Sequence, residues 1–479
     1  MKQTHFSFGD QWLADTIEAS MTLSGSNSLR DRDLRHTLHS QTNPALHELA
    51  GPFIIASGEG PYVIDSEGNR YLDAMAGLWC ASLGFTNDRL AAAAAKAYDT
   101  LGFYHTFGGR ASPSAITAAE AVAELVPIDD ARVFFATSGS EAVETMVKLT
   151  WLHFKALGQA GRRKIIARDR AFHGSTIFAA SLTGLPHMHR EFGLPLDGIV
   201  HVSCPDAYRG RHPGETVEDF VTRLANQLEE TILREGPETI GAFIAEPINA
   251  GAGVIVPPDG YFTKIQQILR KYGILFLADE IVCGFGRTGS WFGCDTMGIQ
   301  PDMMAMAKGM SSSYFPISAV AVGPHIYESV KSINSGKTNF GHGFTNSGHP
   351  VGAAIINETI AIYRDMDVVQ TVGRLGGRLM RRLQAIGEAS SIVGEVRGRG
   401  LILGVEIVAD KASGAPPAPE LDALSRIDKY AKAAGIILRP QGNTITFCPP
   451  FVIDETQVDT IADVFEESLF KVESELRGA

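Results

Sequence analysis

Between residues 132 and 322, short apolar runs alternate with helical stretches, and no other feature constrains the fold as much. The runs are Arg132–Thr137, Lys164–Ala167, Gly198–Val202, Ile240–Ala245, Ile274–Ala278, Met303–Ala307 and Ser318–Val322. None alternates polar with apolar residues, the pattern of strands buried on both faces. Helical periodicity fills the intervals, as at Glu141–Phe154, Val217–Arg234 and Tyr261–Tyr272. Strand–helix succession of this kind predicts an α/β unit with a mostly parallel sheet.

On either side the pattern changes. Residues 1–45 are polar and irregular, with a weakly helical piece near Gln11–Met21, and read as an arm. Residues 61–75 alternate around Ser66-Glu67-Gly68-Asn69, a hairpin signal. After Ser347 comes an apolar helix to about Tyr363, then a mixed α+β tail: helix 368–388, strands near 393–408, helix 421–434, a strand at Thr444–Cys448 and a last helix 454–475.

The 479 residues exceed one ordinary core, so more than one structural unit is expected. A formal charge of −12 argues against a nucleic-acid partner, which needs clustered Lys and Arg. The longest basic cluster, Arg374 to Arg382, reads as the solvated face of a helix. Five cysteines without a C-x-x-C pair fit no zinc ribbon, and no metal site is expected. Reduced thiols, no signal-peptide pattern and no long uncharged apolar stretch lead to the expectation of a soluble, cytoplasmic protein with no membrane contact.

Chemistry enters at the ends of the runs. Asp279-Glu280 closes Ile274–Ala278, and Lys308 closes Met303–Ala307. Carboxyl ends of strands face the ligand crevice of an open α/β sheet. A lysine there is desolvated, which lowers its pKa and frees the amine as a nucleophile. A nucleophilic lysine beside a carboxylate is the pair that pyridoxal 5′-phosphate (PLP) needs, one for the cofactor aldehyde and one for the pyridine nitrogen. Taken singly, Asp279 also reads as an ion-pair or capping residue and Lys308 as a surface lysine. Thr137-Ser138-Gly139-Ser140-Glu141-Ala142 joins a strand to a helix. It offers either an anion site on free N–H groups or a plain capping box with Ser138 as N-cap and Glu141 at N3.

Further motifs follow in order: Phe172-His173-Gly174-Ser175-Thr176, Glu246-Pro247, Gly284-Phe285-Gly286-Arg287-Thr288-Gly289, Pro301-Asp302, Ala307-Lys308-Gly309, and Gly343-Phe344-Thr345 with Ser347-Gly348-His349-Pro350. With them the chain resembles the class III aminotransferases of PLP fold type I, over about residues 44 to 472. The resemblance implies a large domain at 78–345, with a mostly parallel sheet flanked by helices, and a smaller α+β domain from 46–77 and 346–479. It implies that Lys308 holds the cofactor and shuttles a proton, and that Asp279 pairs with the pyridinium. Gly139 and Ser140 would hold the phosphate, completed by Thr345 from a partner subunit. Phe172 and Ile281 would sandwich the ring, with Glu246 near its hydroxyl and Ser138, His173 and Phe344 also at the cofactor. Many relatives have Tyr at the position of Phe172, so a hydroxyl is lost here.

Gly77-Leu78-Trp79, Tyr104-His105-Thr106-Phe107 with Arg110, and Arg439-Pro440 with Gly442 and Cys448-Pro449-Pro450 are similar to the ω-transaminase, amine:pyruvate branch. There Arg439 would grip a substrate carboxylate two-pronged and swing away for an uncharged amine, in a pocket lined by Trp79 and Phe107. Gly108 and Ser40 stand where relatives carry aromatics, which predicts a roomier pocket. The implied reaction moves an amino group from a primary amine or ω-amino acid to a keto acid such as pyruvate. A PLP aminomutase or racemase on the same scaffold is the alternative, and a PLP-binding regulator is disfavoured by the absence of a basic helix-turn-helix segment. A homodimer with shared sites is expected, with a tetramer as the other possibility.

Overall fold

A computed structural model of the chain describes residues 27–333 and 339–477. The helical piece expected near Gln11–Met21 lies outside them. The chain divides into two compact units, Met1–Ser57 with Val63–Arg70 and Gly58–Tyr62 with Tyr71–Ala479.

In the first unit, helix α1 (Leu29–His36) is capped by Ser28 and helix α2 (Pro44–Ala50) by Asn43. Both caps satisfy N–H groups that a helix start leaves open. The turn at 66–69 forms as expected, because Asp65 Oδ1 accepts from Glu67 and Asn69 N–H at 2.9 Å each.

The second unit contains a seven-stranded sheet made by the apolar runs. Its strands are β1 (Arg132–Ala136), β2 (Lys164–Arg168), β3 (Ile199–Val202), β4 (Ile240–Ala245), β5 (Leu275–Asp279), β6 (Met303–Met306) and β7 (Ser318–Val322). Their order across the sheet is β1-β7-β6-β5-β4-β2-β3. Only β7 runs antiparallel to its neighbours. Successive side chains leave a strand on opposite faces. Ile165 and Ala167 therefore join one core cluster, with Val143 and Met146 of helix α3 (Gly139–Ala156), while Ile166 joins another. Burial on both faces removes the need for polar alternation, which explains the uniform runs.

Helices α4 (Pro350–Asp365), α5 (Val368–Ala389) and α6 (Glu455–Arg477) lie within a few residues of expectation. A second sheet, ordered β8-β9-β11-β10, uses β8 (Val393–Arg399), β9 (Ile402–Ile407), β10 (Arg439–Gln441) and β11 (Thr444–Phe447). The basic face of α5 is solvated, as expected, and is also paired. Arg378 pairs with Asp459 at 2.6 Å and Arg382 with Asp463 at 2.5 Å, while Arg374 pairs with Glu455. The arginines are matched to a row of acids on α6 instead of facing water alone. Among the described residues, no helix is long and apolar enough to cross a membrane.

Candidate active site

Four neighbouring strands of the large sheet end in charge. β2 ends in Arg168, β4 leads into Glu246, β5 ends in Asp279, and β6 leads through Ala307 into Lys308. Parallel pairing puts Asp279 level with Ala305, and the Glu280 N–H donates to the Ala305 carbonyl at 2.9 Å. Asp279 and Lys308 are thereby brought to one edge of the sheet. The mechanism is the carboxyl-end rule: aligned parallel strands collect their last residues at one crevice.

Asp279 is buried and fully engaged. One carboxylate oxygen is 2.8 Å from His173 Nδ1, and the other accepts the Ile281 N–H at 3.1 Å. His173 is itself fixed at its backbone, whose N–H donates to Thr183 Oγ1 at 2.9 Å. Its other ring nitrogen, Nε2, is buried with no partner among the described residues. Glu246 takes the Phe172 N–H at 3.3 Å, and Arg168 Nη2 donates to its carbonyl at 2.5 Å. Burial pushes the Glu246 carboxyl up to about 7, against the nearby His173 and Arg168 charges.

Lys308 sits at φ +45°, in the left-handed region that a lysine rarely adopts. Its turn is held open by the surroundings: Tyr363 of α4 donates to the Gly309 carbonyl at 2.7 Å. Desolvation lowers the Lys308 pKa, while Asp279 acts in the opposite sense. A less basic amine is deprotonated more often at neutral pH and so is available as nucleophile and proton carrier.

The phosphate candidate is also formed. Ser138 and Glu141 make the full capping box, so that part of the simpler reading holds. The box does not exhaust the helix start. First-turn amides of a helix have no acceptor within it, and Gly139 and Ser140 occupy that turn. Ser140 Oγ accepts the Ser175 N–H at 3.0 Å, and Ser318 Oγ donates to the Ser138 carbonyl at 2.7 Å. The first bond ties the helix start to the loop after β2, and the second ties it to β7. A Cβ on Gly139 would stand 2.7 Å from Ile281 Cδ1, and one on Gly251 would stand 2.9 Å from Phe172 Cβ. Backbone thus approaches closely beside the two side chains expected to sandwich a ring; at Gly251 a side chain would meet Phe172 Cβ, while at Gly139 it would have to displace the Ile281 terminal methyl.

The remaining expected residues come from other elements, and the cluster of Trp79 reaches Lys308 through Cys448. Trp79 is buried at φ +65° in a small cluster with Ile248, Cys283 and Cys448. Phe107 is half-exposed, with Gly343 against its ring, and Gly108 has φ +66°. Glycine at 108 therefore has a backbone reason besides any gain of room. Phe344 packs near Phe134 and His342, and Thr345 is exposed. Arg439 lies on β10, half-buried, and desolvation lowers its pKa; among the described residues no carboxylate pairs with it. Ser40 is exposed in the first unit.

Sequence reasoning missed Arg168, which has no solvent exposure beneath Glu246. The signal was present, since Arg168 closes the apolar run Lys164–Ala167 just as Asp279 and Lys308 close theirs. Thr183 was missed too, and its role through His173 leaves no local sequence mark.

Comparison with known proteins agrees with this geometry. The aminotransferase class-III family model matches residues 45–469. An omega transaminase from Pseudomonas jessenii, solved in complex with PMP, is 44% identical, with a TM-score of 0.92 over 94% of this chain and 99% of that one. A PMP-bound aminotransferase from Vibrio fluvialis is 42% identical, with a TM-score of 0.91 over the same shares. Gamma aminobutyrate transaminase 3, chloroplastic, from Solanum lycopersicum is 43% identical over 88% of this chain and 81% of its own length. The chain belongs to the class III aminotransferases. It is an enzyme of transamination, and its cofactor is PLP. The residues present fit that cofactor: among the described residues the buried His173 Nε2 has no hydrogen-bond partner, Glu246 Oε2 has only the Arg168 guanidinium at 3.5 Å, and glycine backbone lines the cradle.

Proposed function

We propose that the enzyme is an ω-transaminase, taking an amino group from a primary amine or ω-amino acid and delivering it to a keto acid, pyruvate first. The observation that carries this reading is Arg439, a desolvated guanidinium on a strand edge with no acidic partner among the described residues. A half-buried, uncompensated cation is costly unless an anion visits it. A substrate carboxylate is such an anion, and a planar fork meets it bidentately.

PLP supplies an electron sink that stabilises negative charge at the substrate carbon. The chain's own groups do the rest. Lys308 holds the cofactor and, as the desolvated amine nearest Asp279, carries the proton off and onto the substrate carbon. Asp279, oriented by His173 and the Ile281 N–H, keeps the pyridine nitrogen protonated. Ser138, Gly139 and Ser140 bind the phosphate, with Thr345 and Phe344 of a second copy completing it. Phe172 and Ile281 cover the ring faces, and Glu246 lies toward the ring hydroxyl. Trp79 and Phe107 bound the substrate pocket. The assembly on this reading is a homodimer, with 78–345 as its cofactor domain and 46–77 with 346–479 as the smaller one. Five free thiols support a reducing compartment, the cytoplasm, whereas several plant relatives are named chloroplastic or mitochondrial.

The test is a half-reaction followed by absorbance on the holoenzyme, with Lys308→Ala as control. Addition of (S)-1-phenylethylamine should bleach the visible band and pyruvate should restore it. A band that no amine bleaches would remove the ω-transaminase reading, and the same cycle in Lys308→Ala would remove the role of Lys308. A donor series extends this: on the roomier-pocket reading longer amines keep their turnover, and a steady fall with chain length rejects it.

A further inference from the structure

In the first unit two histidines converge on one carboxylate, far in sequence from every residue placed at the cofactor. His39 Nε2 lies 2.9 Å from Asp33 Oδ2 and 3.0 Å from Oδ1, and His47 Nε2 lies 3.0 Å from the same Oδ2. One ligand atom from each of the three residues falls within 4.8 Å of the other two. The rings are 4.2 Å apart, centroid to centroid, and tilted by 50°. All three groups are largely sheltered, with side-chain exposures of 20% for Asp33, 34% for His39 and 14% for His47.

A structural hydrogen bond to Asp33 would need only one histidine. Here two present the same ring nitrogen to the same oxygen. Neutral imidazole binds first-row divalent metals through such a nitrogen, and two histidines with one carboxylate form a recurrent three-ligand set. Ligand atoms about 2.1 Å from a tetrahedral ion stand about 3.4 Å apart, so the contacts at 2.9 and 3.0 Å would open by about half an ångström to admit one. The two imidazoles, His39 first, hold the Asp33 carboxyl below the usual carboxylate range.

The site is also held in place without an ion. Arg30 Nη1 donates to the Ala50 carbonyl at 2.8 Å, clamping the start of α1 to the end of α2. Asp33 rides on α1, His47 on α2 and His39 on the connection between them. A metal there would pin the two helices and their connection at a single point.

We propose that Asp33, His39 and His47 bind a divalent cation of the zinc class, with water completing its coordination. No metal is expected from the cysteine pattern, and this site uses none of the cysteines. Binding at Nε2 would require each imidazole to carry its proton on Nδ1 instead of donating it to Asp33.

The experiment uses tag-free holoenzyme stripped with a chelator and titrated with Zn²⁺, then with Co²⁺ as a spectroscopic substitute. The proposal expects the wild type to bind one more Zn²⁺ per chain than a His39→Ala/His47→Ala double variant. It also expects a Co²⁺ visible band that the variant lacks. Equal uptake by both proteins would overturn it, leaving a hydrogen-bonded cluster only. A second measurement avoids dependence on the variant's folding. In the wild type, Zn²⁺ should slow acylation of His39 and His47 by diethyl pyrocarbonate at least several-fold, read by peptide mass spectrometry, while an exposed histidine such as His36 reacts unchanged. No difference in those rates would also refute the site.

Discussion

The cofactor floor and the substrate rim of this enzyme are built in opposite ways. On the floor, Asp279, His173 and Glu246 are buried, and each is held by hydrogen bonds to groups on other elements. On the rim, Phe107 and Thr345 are exposed, and Arg439 is half-buried with no acid beside it among the described residues. Burying a charge without partners costs several kcal/mol, so a buried charged group survives only in a network that fixes its geometry. The floor therefore performs one chemistry with preset distances. On the proposed reading, the rim would meet the substrate and a second copy, and its few intramolecular restraints suit that use.

This contrast breaks most visibly at Asp279. Asn has the same shape but no charge, so the His173 contact can persist while the pyridine nitrogen loses its ionic partner. Transamination by Asp279→Asn should fall by about 10³-fold, the scale of a group acting on developing charge in a desolvated site. The cofactor should still bind, as seen by its absorbance. A loss under tenfold would mean that the floor does not depend on this charge.

Glu246 sharpens the comparison through pH. Its folded-state pKa is raised from 4.5 to about 7 by burial. The folded protein therefore keeps a proton that the unfolded chain has released once the pH passes 4.5. That contribution to stability is complete below 4.5 and is lost as pH rises through about 7. Gln carries no such proton. Relative to wild type, Glu246→Gln should gain stability between pH 5 and pH 8, by on the order of 3 kcal/mol at most. Thermal unfolding of both holoenzymes at the two pH values measures the gain. A constant difference would show that Glu246 is ionised throughout.

The floor was more legible in the sequence than the rim, for physical reasons. Strands buried on both faces tolerate almost no charge, so Asp279 and Lys308 stand out where the apolar runs stop. Arg168 obeys the same rule and was passed over because its run, Lys164–Ala167, is short and begins with a charge of its own. The His173–Asp279 contact joins residues 106 apart in the chain. Its existence depends on β2 lying two places from β5 in the sheet, and strand order has no local sequence signal. The capping box at Ser138 was readable, but the same four residues also form a helix start with amides to spare. The closeness of Gly139 to Ile281 is a second feature of this helix start that no local sequence signal marks. On the rim, Gly108 illustrates the opposite difficulty: in sequence it looked like added pocket space, and its φ of +66° supplies an independent cause.

Arg439 gives the smallest and most selective effect. Its backbone is fixed, since its carbonyl accepts from Thr446 Oγ1 at 2.8 Å and the strand pairs with β11. Its side chain has no such fixture. Truncation in Arg439→Ala should leave the sheet intact and remove only the cation. A charge-assisted hydrogen bond contributes about 1.5–3 kcal/mol when well formed, and partial exposure reduces that. kcat/KM for pyruvate should then fall by about tenfold, mainly through KM, because the carboxylate is held equally in ground and transition states. For 1-phenylethylamine, which has no carboxylate, the amine half-reaction measured alone by stopped flow should change less than twofold. Equal losses in both half-reactions would mean that Arg439 shapes the site instead of reading the substrate, and the distinction between a fixed floor and an adaptable rim would fail at the residue that best represents it.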